Sequence, residues 1–547
     1  MKVSIMSTVS CLVLLLWQSS GSAAVSITNR PDAAARDFVF IENNSDDNYF
    51  VTAGGALNPR ISGSNRWTTI KATGSGAGTQ RSLGYIDNGD NTSTHSGRMV
   101  DIWLENTSIS HPLLGLRCIN YYSGCSLDTS MLQPQTTDSK GFYGVTITPG
   151  NTKWLHGMMS DMFYQHLQQM PLGSTLRFQM NSCETRDLYD ATNGGRCIDQ
   201  PSGTWIRRNL THTKGGHIKL INTQALTEVF INSDGIPTIS DGNGDCKMQT
   251  IDRRNGISCK MVNYTLQHNG LSNTSIQIFP VLTNATLAGR IDARDMQFSL
   301  NGSSWKRVSG TTYDYTFNEM KSSDAIYIFF SSNLFKQMVA MGISDINTKD
   351  LFSFRLRNSV APESGWYEFS TSNSLLIKPR DFGVSIISDE YTTKPTRTGD
   401  VGQHEPSLDF GYIVTTSGRT AADEVMVKVK GPSQVIDGQS YCIFSSSDNE
   451  TKVPFPARLT FTTYNGSRQT YNTGCDDQWH DMTRALWAST PWNDASGDYG
   501  TMEKTNLVFS ILMNDAHSSR TVNNNNWYGE VSASGEIHVK ATWRNVN

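Results

Sequence analysis

Between Ile537 and Trp543 apolar and polar residues alternate strictly, so Ile537, Val539, Ala541 and Trp543 share one face of an extended segment, and His538, Lys540 and Thr542 share the other. A helix would scatter those four apolar side chains around its circumference; the period itself therefore selects a strand with one face on a core. Short strand-like runs recur along the chain at residues 38–41, 145–147, 275–279, 326–330 and 424–429, with Gly, Asn, Asp and Ser between them. Helical spacing is confined to residues 160–169, 333–341 and 481–488, each short enough for a crossover at a sandwich edge. The expected class is mainly β.

A weaker copy of the entry to the closing segment, residues 527–534, stands upstream at residues 365–372, and a fainter one begins at Gly203-Thr204-Trp205. Trp205, Trp366 and Trp527 are evenly spaced, which suggests a repeated β-rich unit. A chain of 547 residues holds about three domains at ~150 residues each. Boundaries are expected near Asn222 and near Pro379, where Ile377-Lys378-Pro379-Arg380 interrupts one strand pattern before Val384-Ser385-Ile386 starts another. This predicts domains at 24–222, 223–379 and 380–547.

Residues 1–23 read as a secretory signal peptide: Lys2, an apolar run at 11–17, then small residues with cleavage expected after Ala23 or Ala24. Cys11 opens the apolar run instead of following it, so it does not mark a lipidation site. A formal net charge of -4 offers no basic field, so nucleic acid is not an expected partner. Beyond the leader, eight cysteines fall into four successive couples in an exported chain. The simplest expectation pairs Cys118 with Cys125, Cys183 with Cys197, Cys246 with Cys259, and Cys442 with Cys475. None of them has zinc-ligand spacing.

The sequence contains no nucleophile elbow, zinc-protease helix, P-loop or dinucleotide fingerprint, so no catalytic residues, metal or cofactor are assigned. His480-Asp481 is the most site-like pair, and a helix start capped by the aspartate accounts for it. Residues 87–91 and 241–245 have a calcium-loop look. In the second loop Cys246 occupies the place of the required glycine, and both loops read as tight turns. Trp103, inside an apolar run, belongs to the core. Trp67, Trp154, Tyr121 and Tyr122 are the candidate receptor-binding aromatics, the tyrosines lying inside the expected Cys118–Cys125 loop.

Residues 42–48, 83–89, 230–235, 365–378 and 529–543 carry a resemblance over essentially the whole chain. The sequence resembles the tip adhesins of the common pilus (Mat-type fimbria) of enteric bacteria, an alternative chaperone-usher system. Residues 527–543 are also similar to the last strand of that pilus's major pilin. The resemblance implies immunoglobulin-like sandwiches, the C-terminal one a pilin domain lacking its final strand, with an unsatisfied sheet edge that invites aggregation. It implies a periplasmic chaperone that fills the edge, an outer-membrane usher, and a major pilin whose N-terminal strand then replaces the chaperone. Val531, Ile537, Val539, Ala541 and Trp543 mark the expected polymerisation groove.

The alternation stops close to Asn547, which fits the absence of a later strand. At the other end Val25-Ser26-Ile27-Thr28 alternates briefly before Asn29-Arg30-Pro31-Asp32 breaks the pattern, short of the roughly ten residues a donor strand needs. The expectation is a subunit that accepts a strand and donates none. It would cap the fibre and present its other domains to a host-cell receptor, with a glycan as candidate ligand. A secreted carbohydrate-active enzyme and a structural pilus subunit without receptor binding are the alternatives.

Overall fold

A computed structural model describes residues 24–544 apart from 33–34, 46–47, 53–60, 65–67, 72–78, 83–84, 87–96, 119–130, 148–154, 243, 309–313, 359–366 and 494–496. These residues form two compact units, one of residues 24–36, 83–170 and 175–213, the other of residues 37–82, 171–174 and 214–547. The architecture is mainly β with short helices.

In the first unit Met99–Glu105, Thr175–Thr185 and the start of Thr204–Ile221 lie side by side, antiparallel. Alternation buries Ile102, Leu104, Phe178, Met180, Ile206 and Leu210 on one face. On the other face Trp103 is buried as expected, its ring 5.5 Å from that of Trp205. The helix Asp161–Gln169 begins where Ser160 Oγ accepts from the Phe163 N–H at 3.2 Å, and it buries Phe163, Tyr164 and Leu167. The strand Ser26–Asn29 runs parallel to Thr204–Ile221, with Ser26 opposite Thr204 and Asn29 opposite Arg207.

In the second unit Arg254–His268 is flanked by Cys246–Ile251 and Ala325–Ser331. These strands share a core with Ser275–Leu282, Phe352–Asn358 and Tyr367–Phe369. The helix Ser332–Ala340, capped by Ser331, seals that core with Leu334, Phe335 and Met338. Ser374–Pro379 runs parallel to Leu226–Ile231, with Val229 opposite Ile377.

The same unit continues into a two-sheet sandwich. One sheet has the order Gly383–Ser388, Leu408–Gly418, Tyr499–Ile511, Ala457–Thr462, Arg468–Tyr471. The other has the order His480–Asp481, Glu424–Lys430, Glu536–Thr542. Val425, Val427, Val429, Leu459 and Leu507 meet between them. Taken in chain order, these strands occupy the A, B, E and D positions of an immunoglobulin sandwich in the first sheet and the C and F positions in the second. Among the described residues no strand occupies the G position beside Glu536–Thr542, as expected of an incomplete sandwich.

Disulfides join Cys183 to Cys197, Cys246 to Cys259 and Cys442 to Cys475, as the neighbouring-pair rule expects. Cys125 and the side chain of Cys118 lie outside what the structure describes, so their pairing does too, as do residues 87–91. Residues 481–488 are not a helix. His480 and Asp481 pair with Val427 and Met426, the Met482 N–H donates to the Val425 carbonyl, and the Val425 N–H donates to Thr483 Oγ1. The backbone is thus committed to a neighbouring strand, and the Asp481 carboxylate accepts from the Thr483 N–H in a turn instead of capping a helix.

Candidate assembly groove

The closing strand Glu536–Thr542 is held in register by Glu424–Lys430: Val429 faces Ile537, Val427 faces Val539, and Val425 faces Ala541. The pairs are unequally covered. Val425, Val427 and Val429 are buried to within 2% of their surface, whereas Ile537, Val539 and Ala541 are only half-buried. The difference follows from position in the sheet. Glu424–Lys430 has ladder partners on both sides, while among the described residues Glu536–Thr542 has one. Its other edge presents unpaired backbone N–H and C=O groups beside half-covered apolar side chains.

The opposite rim is Gly383–Ser388, the edge strand of the facing sheet, which among the described residues pairs through its ladder with Leu408–Gly418 alone. Val384 and Ile386 are half-buried, and Ile386 packs against the same core as Ile537, Val539 and Ala541. At one end the rims meet: the Trp543 ring lies 5.6 Å from Phe382, and Trp543 Nε1 donates to the Thr420 carbonyl at 3.0 Å. The outward face of the closing strand carries Lys540, whose ammonium sits 4.4 Å from the Trp479 ring centroid, and His538, 2.9 Å from the Glu536 carboxylate.

The structure therefore brings Ile537, Val539, Ala541 and Trp543 onto one edge. Val531 stands apart, next to Ser532, which bridges to Ser445, and packs on the core from there. The sequence-based list missed the second rim, Phe382, Val384 and Ile386, although the alternation at 384–386 was its signal. Of the candidate receptor aromatics, Trp67, Tyr121, Tyr122 and Trp154 all lie outside the described residues. The His480 ring is held by Asp476 at 3.1 Å and lies on Tyr471 at 5.0 Å. In the loop at 241–245 the carboxylates are engaged elsewhere, Asp241 with Lys504 and Asp245 with Asn373.

One further polar knot lies in this unit. Glu228, fully buried, accepts from Ser385 on the groove's outer rim strand and lies 3.5 Å from Thr415 Oγ1. Burial pushes its carboxyl well above the usual range, against the pull of the Ser385 and Ser240 hydroxyls and of the Lys504 charge. In the same unit Arg380 lies 3.8 Å over the Trp492 ring.

The chain matches three family models along its length: the N-terminal domain of the E. coli common pilus adhesin EcpD over residues 25–218, its middle domain over 222–374, and its C-terminal domain over 381–541. Sandwich fold and matches together define a fimbrial adhesin of the chaperone-usher type. The "Fimbria adhesin EcpD" of Escherichia coli strain K12 is 63% identical over 547 residues, covering 100% of both chains. That of E. coli O157:H7 is 65% identical over 534 residues, 97% of this chain and 98% of the relative. The chain belongs to the EcpD family of common-pilus adhesins. Among solved structures, CfaE, the adhesive subunit of the CFA/I fimbria of enterotoxigenic E. coli, aligns with 56% of this chain and 78% of its own, at 10% identity and a TM-score of 0.19, a likeness that carries no argument.

Proposed function

We propose that the groove between Gly383–Ser388 and Glu536–Thr542 accepts the N-terminal strand of the pilus's major pilin, which makes this chain the capping subunit at the fibre tip. One observation carries the proposal. Where the chain closes its earlier β-folds, it sets an early strand parallel to a late one: Ser26–Asn29 beside Thr204–Ile221, and Leu226–Ile231 beside Ser374–Pro379. In the C-terminal sandwich the first and last strands face each other with no such strand between them among the described residues. A strand added from another subunit would complete both edges and cover Ile386, Ile537, Val539 and Ala541. The same exposed edge needs protection before assembly, which is the work of a periplasmic chaperone, with delivery through an outer-membrane usher.

Ser26–Asn29 is already used inside its own unit and is not free to serve a neighbour. The N-terminal and middle portions then project from the fibre end, where they mediate attachment to a host-cell receptor, with a glycan as candidate, and biofilm-type attachment. The test is a full chain carrying the pilin's N-terminal strand fused behind residue 547. The fusion is expected to be monomeric and more heat-stable, and the unfused chain to aggregate without chaperone; equal behaviour of the two would refute the open groove. Bacteria whose pili lack this chain should lose attachment while retaining fibres, and undiminished attachment would refute the adhesive role.

A further inference from the structure

The middle part of the chain carries a cleft of about 820 Å³, within the size range of small-ligand sites. It lies between the turn that follows Met296–Ser299 and the turn between the helix Phe317–Lys321 and the strand Ala325–Ser331. Ser323 Oγ donates to the Leu300 carbonyl at 2.5 Å and ties the two turns together. The Lys306 ammonium donates to the Asp314 carbonyl and lies 4.1 Å over the Tyr315 ring, which fixes a cation at one wall. Tyr327, half-buried, forms another wall, with Gly302 in the left-handed region (φ 67°) set against its ring. Lys321 and Asp324 stand exposed at the mouth, and Glu319 holds the helix start through one carboxylate oxygen that accepts from the Thr316 N–H at 2.7 Å.

We infer that this cleft is a binding site for an uncharged saccharide, a short oligosaccharide that a receptor would display. The inference rests on the adhesive role proposed above. Lys306 and Lys321 supply only donors, Glu319 and Asp324 only acceptors, with Asp324 already 3.6 Å from the Lys260 ammonium and one Glu319 oxygen held by Thr316. An anionic ligand would meet two carboxylates, and an apolar one would strip water from four charges without replacing their hydrogen bonds. A sugar hydroxyl both donates and accepts, so it can pair with either kind of group.

The experiment is a neutral-glycan array probed with the full chain, wild type and two variants. S304W places an indole at the exposed rim to fill the cleft. K321A/D324A removes exposed charges, together with the surface ion pair that Asp324 makes with Lys260 at 3.6 Å. Wild type is expected to bind a subset of glycans, and both variants at least tenfold more weakly with unchanged melting temperature. Equal binding by the folded K321A/D324A and S304W proteins overturns the cleft and leaves the adhesive role standing. If the array is silent while bacteria still attach through this chain, the saccharide assignment is overturned. If attachment survives removal of the chain from the fibre, it is the adhesive role that fails.

Discussion

Leu226–Ile231 and Glu536–Thr542 are strands of nearly equal length in the same unit, and their fates differ completely. Every residue of the first is buried; none of the second is. Leu226–Ile231 has Pro237–Ile239 on one side and Ser374–Pro379 on the other, so both backbone edges and both faces are covered by this chain. Among the described residues Glu536–Thr542 has a single neighbour. A strand's sequence pattern sets which face turns inward, but the number of its partners sets how far that face is removed from water. The middle fold is finished in cis; among the described residues the C-terminal one leaves its last strand with an open edge, where the proposed function seats a strand supplied in trans.

The sharpest way to break that contrast is to put a charge where the incoming strand must lie. Val539→Asp costs little in the unpaired domain because the side chain is already half in water. A seated donor strand would bury the carboxylate at several kcal/mol, enough to lower strand exchange by about a hundredfold. Fibres assembled with this variant should lack the tip subunit, as counted by immunogold labelling of fibre ends. Normal tip occupancy would show that the donor strand does not lie on this edge.

One substitution made in both strands measures the contrast directly. Ile231 is 1% exposed and Ile537 half-buried. Ile231→Ala is expected to destabilise by about 2–5 kcal/mol through lost transfer energy and a cavity. Ile537→Ala should cost under about 1 kcal/mol in the chain alone and move toward the larger figure once a donor strand is fused behind it. Urea melts of the four proteins check this, and a difference that stays the same with and without the fused strand would mean that the edge is not covered by it.

Much of this was legible in local pattern, and the rest was not for an identifiable reason. The alternation at 537–543, the helical spacing at 160–169, the buried Trp103 and three neighbouring cysteine pairs are all short-range signals, and each names its own partner or face. The closure of Leu226–Ile231 by Ser374–Pro379 is a parallel pairing across most of a domain, which periodicity does not encode. The expected helix at 481–488 failed through the same kind of contact. Met482 and Ala485 are buried three residues apart, like a helical stripe, yet hydrogen bonds to Val425 hold that segment against a strand. The evenly spaced tryptophans do not mark equivalent places: Trp205 lies inside a strand, and Trp527 lies in a connection, donating to the Ser518 carbonyl at 3.1 Å.

The closed strand also carries a pH signature. Glu228 on Leu226–Ile231 has its folded pKa raised by burial, with Ser240, Ser385, Thr415, Asp241 and Lys504 around it. A carboxyl raised on folding contributes stability that is fully present below its unfolded value and is lost as pH rises through the folded value. The chain should therefore soften between mildly acidic and neutral-to-alkaline pH. Glu228→Gln, which keeps the hydrogen-bonding shape without the titration, should flatten that slope in thermal melts across the range; an unchanged slope would place its origin elsewhere.

The smallest expected effect separates the two faces of the closing strand itself. Lys540 alternates with Val539 and points outward, where it and Lys428 flank the Trp479 ring at 4.4 and 5.1 Å. Such an exposed cation–ring contact contributes about 0.5–1 kcal/mol. Lys540→Ala should lower the melting temperature by no more than about 4 °C, as expected for that energy in a domain of this size. It should leave tip occupancy unchanged, because the donor strand meets the backbone edge and the inward row of Ile537, Val539 and Ala541. Loss of occupancy with Lys540→Ala, in a chain that still melts cooperatively, would move the docking surface to the outer face of the sheet and dissolve the distinction between a covered and an open side of this strand.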